Sequence, residues 1–166
     1  MPLATELKSM NQDLIRYFVV DAFTDHPFGG NPAAVVLLSE WPDDTWLQNV
    51  AMEMNLSETA FLVPNQNGFD LRWFTPAVEV DLCGHATLAS AFAILHAGLQ
   101  EDKTQMEFST RSGVLSAASH GDRIQLNFPL KPVSPTIPPV DLLEGLSVTP
   151  TYVGKSEYDY LVEVET

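Results

Sequence analysis

Residues 78–98 read VEVDLCGHATLASAFAILHAG, and the fold turns on how the second half of this stretch is buried. From His85 to Ala97 the polar side chains are His85, Thr87, Ser90 and His96, while Ala, Leu, Ile and Phe cover most of the circumference. A helix apolar nearly all round must be buried nearly all round. Gly98 follows as the expected C′ residue, so the pattern predicts a helix over about 84–97. The flanking segments read as strands. The prediction is therefore an α+β fold, a mostly antiparallel sheet curled around this central apolar helix, with Leu88 and Phe92 against strands. A plain α+β sandwich is the alternative.

Outward from that helix, residues 16–23 (RYFVVDAF) read as a strand that runs into the turn-rich TDHPFGGNP. Residues 33–38 (AAVVLL) read as a second, buried strand. Asp43 and Asp44 stand where a helix cap belongs, and Trp46, Leu47, Val50 and Met54 recur at helical spacing, which predicts a helix over 44–54. Residues 58–63 alternate, and Asn67-Gly68 marks a hairpin between them and residues 69–74. Further strands are expected at about 104–110, 113–118 and 123–128, with Gly113 and Gly121 in the turns.

Residues 1–14 read as an N-terminal extension and 15–129 as a first domain. The stretch PLKPVSPTIPP at 129–139 holds five prolines in eleven residues, which predicts a linker over 130–139 with no regular element. Residues 140–166 read as the beginning of a second domain. The run YDYLVEVE at 158–165 stops almost in mid-strand, so the expectation is an incomplete second domain.

The chain has 166 residues, enough for a substantial core. With 22 acidic residues against 8 Lys and Arg, its formal charge is −14, a field that repels nucleic acid and anionic lipid. A small carboxylate remains compatible, because backbone N–H groups bind anions locally. The one cysteine, Cys83, allows no internal disulfide. The opening MPLATELKSMNQDLIRYF lacks a signal-peptide pattern, and the apolar helix is shorter than the roughly 20 residues a membrane span needs. The expectation is a soluble, cytoplasmic protein with no membrane partner.

The head of the apolar helix gathers the chemistry. The first amides of a helix have no intrahelical partners, so Gly84, His85 and Ala86 are candidates to hold a carboxylate, with Gly84 letting a ligand approach the backbone. Every helix has such an end, so position alone is weak. Cys83 is either a nucleophilic or acid–base thiol at a helix N-terminus or simply a buried residue. His85 is the best placed of four histidines, and none of them has metal-ligand spacing, so no metal is expected. Glu58, in NLSETAF, shares a strand face with Ala60 and Leu62. If partly buried there, it is a stronger base. The alternative, equally weighted, is helix-to-strand capping by Ser57 and Glu58. Asn31, in FGGNP, reads as a side-chain-pinned loop or a structural turn; the loop lacks the lysine and spacing of a phosphate loop.

VVDAFTDHPFGGNPAAVVL, MNLSETAFLV and LRWFTPAVEVDLCGHATLASA, in that order, resemble the phenazine-biosynthesis PhzF-like isomerases, relatives of diaminopimelate epimerase. The resemblance covers residues 16–130 best. It implies a full-length protein of two similar domains, each a sheet curled round a helix, with a cleft between them. It implies cofactor-free proton transfer on a small carboxylate-bearing metabolite, with Glu58 as general base and His85 beside the substrate. Gly84 then supplies carboxylate-binding backbone, and Cys83 stands where the related epimerases place a catalytic cysteine; Asn31, from its loop, and Ala86, from the helix head, are the remaining substrate-binding candidates. It also implies a homodimer, or a second chain carrying the missing domain. A non-catalytic module binding a small ligand or a partner with the same fold is the competing reading.

Overall fold

The computed structural model describes residues 14–100 and 105–165. The extension read over residues 1–14 therefore lies outside the described residues, Leu14 excepted. The chain divides into two compact units, Met1–Phe128 and Pro129–Thr166.

In the first unit the elements run β1 (Arg16–Ala22), β2 (Asn31–Leu37), α1 (Asp44–Met54), β3 (Glu58–Pro64), β4 (Phe69–Phe74), β5 (Glu79–Val80), α2 (Gly84–His96), β6 (Gln105–Thr110), β7 (Gly113–His120) and β8 (Arg123–Asn127). The helix α1 forms where its signals lie. Asp43 is extended and its carboxylate accepts the Trp46 N–H at 2.8 Å, satisfying an amide that has no partner within the helix. Asn55, at φ 52°, ends it in the left-handed region. Leu47 and Ala51 are buried against Val36, Phe61, Val63 and Phe74 on one face of the sheet.

The helix α2 packs on the other face, against β1, β2, β3 and β8. Its buried hydroxyls turn inward on the helix itself: Thr87 donates to the Cys83 carbonyl at 2.6 Å and Ser90 to that of Ala86 at 2.7 Å. These two hydroxyls thus sit in the core with a partner each. Gly98, at φ +65°, turns the chain so that its own N–H reaches the Leu95 carbonyl and that of Leu99 reaches Ile94.

The expected mostly antiparallel sheet around a central helix is not what the chain forms. The strand order is β1-β2-β3-β4-β6-β7-β8, with β5 paired to β4. Two of the seams, β2–β3 and β4–β6, are parallel, so the sheet is mixed. The reason is the connections. Parallel neighbours need a crossover rather than a hairpin, and α1 links β2 to β3 while α2 lies on the path from β4 to β6. The sheet curls but stays open, β1 and β8 being its two ends. Nor is α2 enclosed as a central apolar helix would be. Phe92 is 49% exposed and His96 is exposed, because the flank between β1 and β8 is uncovered. A groove of about 1040 Å³ runs there, over Leu88 and Phe92 and between Val19 and Ile124.

The second unit holds β9 (Ser134–Pro135), α3 (Val140–Leu146), β10 (Pro150–Lys155) and β11 (Tyr160–Val164), in a sheet ordered β11-β10-β9. None of α3 is buried, and no second sheet curls round a second apolar helix among the described residues, so the expected pair of similar domains is not seen. Ser134–Pro135 forms a strand inside the proline-rich stretch, where none was expected. It is an edge strand, paired with β10 alone, the position where a residue without an N–H is tolerated.

Candidate active site

The parallel seam builds the site. Because β2 and β3 run the same way, with Ala33 opposite Glu58, the residues that open them lie side by side at one end of the sheet. These are Asn31 and Pro32 on β2, and Ser57 and Glu58 at the start of β3. Along β3, Ala60 and Leu62 belong to the core under α2, whereas Phe61 and Val63 belong to the core under α1. Glu58, two residues before Ala60, shares the α2 face. The head of α2 arrives at the same place.

There His85 Nε2 lies 3.3 Å from Glu58 Oε2, with side-chain exposures of 10% and 20%. The same nitrogen is 3.2 Å from Ser57 Oγ, and Nδ1 is 3.4 Å from Cys83 Sγ. Ser57 in turn reaches Asn31 Oδ1 at 3.3 Å and the Pro32 carbonyl at 3.4 Å. One polar chain thus runs from β2 through β3 to the head of the helix. The helix N-terminus does not activate Cys83. Burial pushes the thiol up to about 11; the amides of Ala86 and His85 pull the other way, and the Glu58 charge adds to the rise. Burial wins over the helix end, so Cys83 is a neutral thiol at ordinary pH. A Cβ placed on Gly84 would meet nothing within 4 Å, so the space in front of the helix head is open.

Of the residues singled out in the sequence, Glu58, Cys83 and His85 are brought together, their donor atoms within 4.8 Å of one another. Asn31 joins them through Ser57, and Gly84 borders the open space. The Ala86 side chain is fully buried, which leaves only its backbone for a ligand. A carboxylate, a thiol and an imidazole form a donor set of the kind zinc accepts, though not one that spacing along the chain suggested. The other histidines lie elsewhere: His26 beside Asp25 at 3.2 Å on the exposed loop, His96 between the Phe18 and Phe92 rings, and His120 at the end of β7.

Glu79 is not part of the cluster. Arg72 holds it with two bonds of 2.7 Å and Arg111 with a third of 2.7 Å, and the Ser112 hydroxyl donates to the Asp81 carbonyl at 2.7 Å. These contacts fix the strand that leads into Cys83. The pairing with Glu79 holds the Arg72 guanidinium above its ordinary range despite its burial. Sequence reading missed the clamp, and it saw Ser57 only as a cap. The signal for Ser57 was its place next to Glu58.

This open-sheet α+β fold is shared, at the level of fold alone, with a hydroxyproline epimerase of Agrobacterium vitis (TM-score 0.50, 14% identity, covering 77% of this chain and 47% of that one). The link to the epimerases is thus a distant structural one. A PhzF-family protein of Enterococcus faecalis is much nearer, with a TM-score of 0.78 and 36% identity over 90% of this chain and 56% of its own. An uncharacterized isomerase of Halalkalibacterium halodurans is 51% identical over 150 residues, 90% of this chain and 57% of the relative. The chain belongs to the phenazine biosynthesis-like family, whose model matches residues 20–145. It spans a little over half the length of these two relatives. No helix among the described residues is long and apolar enough to cross a membrane.

Proposed function

We propose that the whole protein is a cofactor-independent isomerase that moves a proton on a small, unsaturated carboxylic acid, with Glu58 as the base. The observation that carries this reading is the 3.3 Å pairing of Glu58 with His85 beside the open space at Gly84. Family membership and likeness to an uncharacterized isomerase support it.

In this reading the substrate carboxylate lies against the head of α2, where amides with no carbonyl partner within the helix and the positive helix end favour an anion. Glu58 takes a proton from a carbon already acidified by conjugation. The C–H electron pair passes into the conjugated system, Glu58 becomes a carboxylic acid, and the same group returns the proton to a different carbon on the same face. No redox partner is needed, since the double bonds only change place. The His85 N–H steadies the charge that grows on oxygen during the transfer. Groups facing Glu58 across the substrate are assigned to the length that the relatives carry beyond their match to this chain.

The test is proton exchange. Full-length protein, stripped of metal with a chelator, is incubated in D2O with a panel of cyclic and linear unsaturated hydroxy and amino acids and read by NMR. Deuterium entering one carbon as the double bonds shift supports the reading. Turnover that stops on chelation and returns with a metal would overturn it.

A further inference from the structure

Hydrogen-bond roles around His85 can be counted. Ser57 has one proton, and its hydroxyl lies near two pure acceptors, Asn31 Oδ1 and the Pro32 carbonyl. With that proton directed to either, Ser57 Oγ is left as an acceptor towards His85 Nε2. Glu58 Oε2, the second neighbour of that nitrogen, is an acceptor when ionised. Two acceptors around Nε2 require the proton to sit there. A neutral ring then presents a lone pair at Nδ1, and the atom facing it at 3.4 Å is Cys83 Sγ.

We propose that Cys83 is a positioning residue, whose thiol donates to His85 Nδ1 and fixes the imidazole in the Nε2–H form aimed at Glu58. The thiol is suited to this. It is 7% exposed, and its one proton has two acceptors in reach, His85 Nδ1 and the Glu58 carboxylate, of which the carboxylate is already served by His85 Nε2–H. Gly84 follows directly, so the donor and the imidazole are held two residues apart at the rigid first turn of α2. The consequence rests on the proposed reaction: with Nδ1 occupied and Nε2 protonated, His85 donates and cannot take the substrate proton, which leaves that task to Glu58 alone.

The test is spectroscopic and needs no substrate. The full chain is labelled with 15N-histidine, and the His85 signals are assigned by their loss in His85→Gln. The expected wild-type pattern is a protonated Nε2 and an unprotonated Nδ1. Cys83→Ser keeps a donor and keeps the pattern. Cys83→Ala removes a bond worth about 1.4 kcal/mol, so the Nδ1–H share rises about tenfold. Because the chain has a single cysteine, the infrared S–H band belongs to Cys83. It should lie below that of a free thiol and move up in His85→Gln, a measurement that stands even if Cys83→Ala does not fold. An Nδ1–H tautomer in the wild type, a Cys83→Ala pattern identical to wild type, or a free-thiol S–H band overturns the proposal. An Nδ1–H tautomer would readmit His85 as a rival base, whereas the part played by Glu58 itself is tested separately by proton exchange.

Discussion

Replacing Glu79 with Gln tests how the approach to the helix head is held. Glu79 is 12% exposed and Arg72 18% exposed, and two 2.7 Å bonds join them. Breaking a buried pair by removing one charge costs about 3–5 kcal/mol, because the other charge stays desolvated. Here the loss is partly offset. Asp44 still lies 2.9 Å from Arg72, and the Trp41 and Phe74 rings lie 5.3 and 5.1 Å from the guanidinium. The expected cost is therefore about 2–3 kcal/mol. Asp44→Asn is the control: Asp44 is 73% exposed, so its pair contributes at most about 1 kcal/mol. The assay is urea unfolding followed by tryptophan fluorescence, since Trp41, Trp46 and Trp73 all lie in the first unit. The double variant Arg72→Met/Glu79→Met should recover most of the loss, because the partners it strands, Arg111 at 53% and Asp44 at 73% exposed, are hydrated rather than buried. Equal costs for Glu79→Gln and Asp44→Asn, or a double variant worse than the sum of its parts, would refute the reasoning.

Gly30→Ala should destabilise the first unit by about 1–3 kcal/mol in the same assay, since Gly30 has φ +70° and a Cβ there strikes the Ala22 carbonyl. Gly84→Ala should leave the unfolding midpoint nearly unchanged, its Cβ meeting nothing, while weakening binding of a small carboxylate measured by calorimetry. At alkaline pH the sign follows from Cys83. Its folded-state value, raised to about 11, exceeds the ordinary 9.0. The unfolded chain therefore releases this proton first, and stability held below pH 9 is lost as pH rises towards 11. The loss between pH 7.5 and 10.5 is on the order of 2 kcal/mol, should be absent in Cys83→Ser, and is read from urea unfolding at those two values.

The elements themselves were legible in the sequence. Asp43 and the Trp46, Leu47, Val50 spacing mark α1, Gly98 marks the end of α2, and the alternation of Ala60 and Leu62 puts Glu58 on the face where His85 is found. The pairing of strands was not. Whether β2 meets β3 in parallel is decided by α1 crossing between them, and a strand–helix–strand order was there to be read. That seam is what sets Asn31 and Ser57 beside Glu58, so the site depended on the feature the sequence reading had wrong. The open flank of α2 was also out of reach, because apolar content shows what ought to be covered but not what covers it. The clamp on Glu79 was out of reach for a different reason. Carboxylates next to a cysteine and a histidine look reactive in a string, and only the position of Arg72 and Arg111 shows that this one is held for structure.

The account stands on Glu58, and the most direct measurement is solvent deuterium incorporation by full-length Glu58→Gln into a substrate that the wild type labels. Gln keeps the shape and the hydrogen bond to His85 but cannot take a proton. Exchange should fall by at least about a hundredfold while substrate binding stays within a few-fold of wild type. Exchange at a near-wild-type rate would contradict the account and move the base to another group.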